Sequence, residues 1–278
     1  MPAKEKIAAG TFPYSKYSID YALDSLLSLG FDRAEVYCSY PHLNLEDSGL
    51  ACIPGIKSKL RERNIQVVCL TPQQMKYPVN IAASDQARRK RSLELMETVL
   101  CAAAELDCPL VLIHGGFPLN DEKEEDAWNR SSQSLAYLNH RAECLGVDIV
   151  LETVDVRWKT LLRNSSKAAE MIRQLGAKRI HGMIDFMTMS HSGETPEEVY
   201  KNLWGDIAHC HFSDGYSGSK KMSHLIPGDG ELDLDRMLRE LDSLEYKGFL
   251  SIELTDGYED DPHSAMRRSK EWLESRLN

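Results

Sequence analysis

The chain has 278 residues, 42% hydrophobic and 27% charged, enough for a globular α/β barrel with a sizeable core. A formal net charge of −10 argues against the basic footprint of a nucleic-acid binder. No apolar run approaches a membrane span, and the opening MPAKEKIAAG lacks the apolar stretch of a secretory leader, so the expected setting is cytoplasmic with no membrane partner.

Short apolar strands alternate with longer amphipathic segments. The first strand is expected near Lys6–Gly10, followed by a helix over Ser18–Leu29 that stops at Gly30. AEVYC, from Ala34, reads as the second strand and Ile53–Arg63 as its helix. IQVVCL, from Ile65, is the third strand, and a long helix covers Ser84–Leu106. PLVLIHGG, from Pro109, is the fourth, with a helix over Glu124–Leu145. VDIVLE ends the fifth strand at Glu152, ahead of a helix near Ser166–Leu175. The sixth strand ends at Asp185, and Thr195-Pro196-Glu197-Glu198 opens the next helix: Thr caps, Pro fits the first turn and the acids suit the helix dipole. The seventh strand ends near Phe212, with a helix over Leu234–Leu244. FLSIEL is the eighth strand, and Asp261-Pro262 opens the last helix.

Eight strand–helix units in one chain predict a single closed (β/α)₈ barrel domain over residues 1–278. A doubly wound sheet is the alternative, but no G-x-G-x-x-G follows the first strand. Two connections are expected to be long loops, residues 186–194 and 213–234. Seven cysteines with no C-x-x-C pair read as reduced, mostly buried thiols rather than a zinc ribbon.

Four strand exits end in groups that bind cations: Glu152 in VDIVLET, Asp185 in IHGMIDF, His211 in IAHCHFS and Glu253 in GFLSIEL. Each closes an apolar run, where an unpaired charge is costly. One such carboxylate is ordinarily paired with Lys or Arg, or solvated. All four groups on successive strands instead suggest a divalent-metal site at the end of a barrel where chemistry is performed. Three hard carboxylates favour Mn²⁺, with Co²⁺ or Mg²⁺ possible, over a thiolate zinc site. Alternation along the seventh strand places His209 on the same inward face as His211, either as a packed core residue or as a hydrogen-bonding support for a ligand.

Other signals carry two readings. His114-Gly115-Gly116 either lets a substrate approach the backbone or makes a tight turn. Trp158 is a stacking wall or a packed aromatic, and Tyr77-Pro78 lines the pocket or a subunit contact. Asp214 orients a ligand or caps its loop, and Lys220-Lys221 meets an acidic substituent or is solvated.

On these residues the chain resembles the xylose-isomerase-like TIM-barrel superfamily, in its ketose 3-epimerase branch. Glu152, Asp185, His211 and Glu253 match that family's metal set, and IPGDGELD its PGxG turn. The segments PHLNL, LTPQQMKYPVN, HFSDG and HLIPGDGELDL resemble the fructoselysine 3-epimerases. The resemblance spans nearly the whole length. It implies a metal-dependent isomerase that inverts C3 of a ketose or ketosamine through an enediolate, with Glu152 and Glu253 as catalytic acid and base. Substrate contacts are expected at His114, Tyr77, Trp158 and His224, and a homo-oligomer is left open. The chain departs from the family pattern at Trp158 and Thr188, which stand where free-sugar epimerases carry Glu and His, and at His224, which replaces an arginine. These departures point away from free fructose or tagatose. They keep open aldose–ketose isomerisation, or dehydration or lysis of a keto-sugar, on the same barrel.

Overall fold

The computed structural model describes residues 4–74, 79–154, 159–216, 224–255 and 257–277. Eight parallel strands follow one another in chain order and close on themselves. They are β1 Ile7–Gly10, β2 Arg33–Cys38, β3 Gln66–Pro72, β4 Leu110–His114, β5 Asp148–Glu152, β6 Ile180–Asp185, β7 Ile207–Phe212 and β8 Leu250–Ile252. Pairing of Ile7 with Leu250 and of Ala9 with Ile252 shuts the barrel.

Alternate residues of each strand serve two layers. Val36, Leu70, Ile113, Leu151, Ile184 and Phe212 face the surrounding helices and join the main core. The complementary positions Ala8, Cys69, Leu110, Leu112, Val150 and Met183, joined by Val68 where the β2–β3 register shifts, form a second, smaller cluster inside the barrel. Buried polar groups follow this plug along the strands: Glu35 on β2 and His209 on β7, then the strand-exit residues.

The helical layer consists of α1 Ile19–Ser28, α2 Leu45–Ser48, α3 Ile53–Glu62, α4 Gln86–Glu105, α5 Glu124–Leu145, α6 Ser165–Leu175, α7 Phe186–His191, α8 Pro196–Asn202, α9 Leu234–Ser243 and α10 Pro262–Glu274. Helix starts follow local capping chemistry. Thr195 and Glu198 form a reciprocal capping box at α8, and Asp261 accepts from the Ser264 amide at α10. Two connections differ from expectation. The segment after β6 is not a plain loop: α7 begins at once, because the Asp185 carboxylate caps it by accepting from the Thr188 amide. Between β2 and α3 lie α2 and a 3₁₀ turn, Gly49–Cys52.

Register aligns the strand exits. His114 pairs with Glu152 across β4 and β5, and Asp185 pairs with His211 across β6 and β7. The second alignment depends on an irregularity. Gly182 pairs with Ile207 but Met183 pairs with His209, so β7 holds one extra residue and its two histidines are re-aimed. All seven cysteines are free, four of them buried. Among the described residues no helix is long and apolar enough to cross a membrane.

Candidate metal centre

The strand ends bring Glu152, Asp185, His211 and Glu253 together. One ligand atom from each lies within 4.8 Å of the others, and all four residues are buried. His211 Nδ1 is the hub, 3.1 Å from Glu152 Oε1, 2.9 Å from Glu253 Oε2 and 3.9 Å from Asp185 Oδ2. Each carboxylate is presented differently. Glu152 is the last residue of β5, and its Oε2 is 2.6 Å from His114 Nε2. Asp185 spends Oδ1 on the Thr188 amide at 2.8 Å, which leaves Oδ2 turned to the cluster. Glu253 follows β8 directly, its amide donating to the Phe212 carbonyl at 3.2 Å.

Three buried carboxylates around one imidazole carry excess negative charge, and the titration of the imidazoles registers it. Burial alone would lower the His211 pKa, but the charges of Glu253 and Glu35, with hydrogen bonds to Glu152 and Glu253, push it well above the ordinary value. His224 is likewise opposed by burial, yet Glu253 and Asp185 raise it to about 9. For Glu152 burial works upward and is outweighed by His114 and His211, which hold the carboxyl well below the usual range. Buried Glu253 Oε2 lies between two imidazole nitrogens, 2.9 Å from His211 Nδ1 and 3.3 Å from His224 Nε2. A divalent cation would balance this surplus charge, drawing on carboxylate oxygens such as Glu253 Oε2. The donor set, three carboxylates and one imidazole, fits such an ion.

Beside the cluster opens a cleft of roughly 570 Å³. Phe12 and Tyr37 meet on one side with ring centroids 5.4 Å apart, and Phe12 presents its ring to His211 edge-on at 6.3 Å. Gln74, His114, Thr188 and His224 line other parts of the cleft. His224 Nε2 stands 3.2 Å from Asp185 Oδ2 and 3.3 Å from Glu253 Oε2, and its Nδ1 is 3.0 Å from Thr255 Oγ1. An imidazole therefore sits where the family resemblance places an arginine.

The structure separates the two readings given for each supporting residue. His209 does not hold a ligand carboxylate; its Nε2 lies 2.9 Å from Glu35 Oε2, deep in the barrel. The reason is the strand pleat, which keeps His209 two residues below His211. Asp214 does not reach the cluster either. Its carboxylate accepts from the amides of Gly215, Gly228, Gly230 and Leu232, so it organises the loop that carries His224. The glycines after His114 serve the turn: Gly116 has φ +78°, and a Cβ on Gly115 would lie 2.4 Å from Leu162. Tyr77, Trp158, Lys220 and Lys221 lie outside the described residues.

Sequence reasoning missed Glu35, Thr71, Gln74 and Phe12. Glu35 carried a readable signal, a lone carboxylate in the apolar strand AEVYC, which is tolerated in a core only when fully hydrogen-bonded. Gln74 accepts from the His114 amide at 2.9 Å and donates to the Leu112 carbonyl at 3.1 Å, a contact across the barrel rim that has no local sequence signature.

Fold and site together define a (β/α)₈ barrel with a carboxylate-rich candidate cation centre at the strand exits. The chain belongs to the xylose isomerase-like TIM barrel family, whose pattern it matches over residues 23–276. It is similar to fructoselysine 3-epimerase of Escherichia coli O157:H7, 24% identical over 266 residues that cover 94% of each chain. Among solved structures it resembles a D-tagatose 3-epimerase-like protein with TM-score 0.83 at 19% identity, covering 98% of this chain and 96% of that one. It also resembles 3-keto-D-glucoside 4-epimerase from E. coli, TM-score 0.78 at 20% identity, covering 97% and 99%. At such identities the structural likeness establishes the fold.

Proposed function

We propose that this chain is a divalent-metal-dependent isomerase that inverts C3 of a ketose or a ketosamine of the fructoselysine type. The observation that carries the reading is the four-residue centre, with ligand atoms within 4.8 Å of one another, beside an open cleft. The full-length similarity to fructoselysine 3-epimerase supports the substrate class. Glu152, Asp185, His211 and Glu253 would hold the ion, with Mn²⁺ the first candidate and Co²⁺ or Mg²⁺ the alternatives. Such an ion supplies Lewis-acid polarisation of a carbonyl, which acidifies the neighbouring C–H.

The remaining work belongs to the protein. Glu152 and Glu253 arise on β5 and just past β8, with β6 and β7 between them, so they reach the site from different sides. One glutamate removes the C3 proton and the other returns a proton to the opposite face of the planar enediolate, which inverts the carbon. The substrate epimer decides which acts first. His114 anchors Glu152 Oε2, and His224 faces Asp185 and Glu253 as a donor to substrate oxygens. Phe12 and Tyr37 form an apolar wall, and Trp158 and Tyr77 are proposed as further substrate contacts.

The departures at Thr188 and His224, both in the cleft, support a second reading in which the same proton abstraction leads to aldose–ketose isomerisation or to keto-sugar dehydration or lysis. One experiment separates them. Mn²⁺-loaded protein is incubated in D₂O with fructoselysine, fructose, tagatose and several 3-keto-sugars, and the products are read by proton NMR after chelation. Deuterium at C3 with a new epimer is the expected result. An aldose, or loss of water or an aglycone, would favour the second reading, and no exchange across the panel would refute both.

A further inference from the structure

We infer that Glu35 is a positioning residue for the metal centre, one that sets the tautomer and orientation of His211 and so the affinity for the cation. The inference rests on reading Glu152, Asp185, His211 and Glu253 as that centre.

Glu35 projects from β2 into the barrel and is 0% exposed. Both of its oxygens are occupied. Oε1 lies 2.9 Å from His211 Nε2 and also accepts from the Thr71 hydroxyl; Oε2 lies 2.9 Å from His209 Nε2. An ionised carboxylate only accepts hydrogen bonds, so each imidazole presents an Nε2–H to it. A neutral His211 then carries its lone pair on Nδ1, the nitrogen that faces Glu152, Asp185 and Glu253. His209 follows the same logic. Its Nδ1 is buried with no partner, which a bare lone pair tolerates better than an orphaned N–H.

Glu35, His209 and His211 also satisfy the distance criterion for a cation site of their own. Both Glu35 oxygens are already engaged within the barrel, Oε1 by Thr71 and His211 and Oε2 by His209, so we read the group as a hydrogen-bonded support rather than a second ion site. The arrangement is a hydrogen-bonded chain, Thr71 and His209 holding Glu35, and Glu35 holding His211. Partners of this kind typically change metal affinity 10- to 100-fold when removed. His209 thus acts on the centre at one remove, through Glu35.

The test is Mn²⁺ titration by calorimetry of wild-type, Glu35→Gln and Glu35→Asp proteins, together with long-range ¹H–¹⁵N histidine spectra of the Mg²⁺-loaded forms. Wild-type protein should bind one ion per chain, with His211 protonated at Nε2 and ligating through Nδ1. E35Q should raise the Kd roughly 10- to 100-fold and disturb the His211 tautomer. E35D keeps the charge and protects against simple misfolding; its shorter side chain should also weaken binding. Wild-type Kd and an unchanged His211 signature in both variants would overturn the inference alone. Two ions per chain would overturn it in favour of a second cation at Glu35. Wild-type protein that binds no divalent ion would remove the metal-centre reading, and the inference with it.

Discussion

The barrel carries histidine–carboxylate clusters at both ends, and they differ in charge balance. At the end where the strands begin, His181 Nδ1 lies 2.7 Å from Asp206 Oδ1, and Arg179 reaches Asp148 Oδ1 at 3.0 Å. Each acid there has a cationic or imidazole partner and water nearby, since the side chains are 24–48% exposed. At the exit end three carboxylates crowd one imidazole hub in near-complete burial. A surface cluster closes its own account with solvent and counter-charges. A buried cluster with surplus carboxylate is stable only with a bound cation or with protonated histidines, and this is what marks it as a candidate functional site.

The largest expected effect comes from removing the cation. Chelation should abolish turnover and lower the melting temperature, and re-added Mn²⁺ should restore both. At an ion concentration near 100 Kd the linkage is worth about 2.7 kcal/mol, readable by calorimetry. The clusters at the barrel's beginning should be indifferent to the same treatment.

Neutralising one acid at each end sharpens the contrast. Glu253→Gln should reduce C3 exchange by about 10³-fold, the scale of a lost acid–base group. Without metal it should melt no lower than wild type, because it relieves carboxylate crowding. Asp148→Asn should leave exchange untouched. If E253Q retained exchange, Glu253 would not be an acid or base in the reaction.

Asp214→Ala tests the loop that brings His224 to the centre. Loss of an acceptor for four backbone amides should misplace His224 and lower kcat/KM by roughly 10- to 100-fold, with Mn²⁺ affinity unchanged. Weakened metal binding would show that Asp214 acts on the ligands themselves.

The smallest effect is at the barrel's beginning. The hydrogen bond to Asp206, partly opposed by burial and aided by the charges of Asp206 and Asp148, raises the His181 pKa. A raised folded-state value means the pairing stabilises fully below the ordinary histidine value of about 6.5 and fades as pH rises through the folded value. His181→Gln should remove that pH dependence, changing stability by less than about 1 kcal/mol. Urea melts between pH 6 and 9 would measure it.

What the sequence by itself determined is the periodic skeleton and the four strand-exit residues that the fold brings together. Apolar runs, caps such as Thr195 and Asp261, and charged residues closing those runs are local signals carried by neighbouring residues. Only the tertiary structure decided which distant groups share a hydrogen bond. Glu35 meets residues 174 and 176 positions away, Gln74 supports His114 from the neighbouring strand, and a shift of one residue in β7 re-aims His209 and His211. Closing the barrel sets β2 and β3 opposite β7, and strand pleat and register then decide which side chains meet across it. No periodicity along the chain encodes that meeting, so the candidate ligands were legible before folding while the residues packed around them were not.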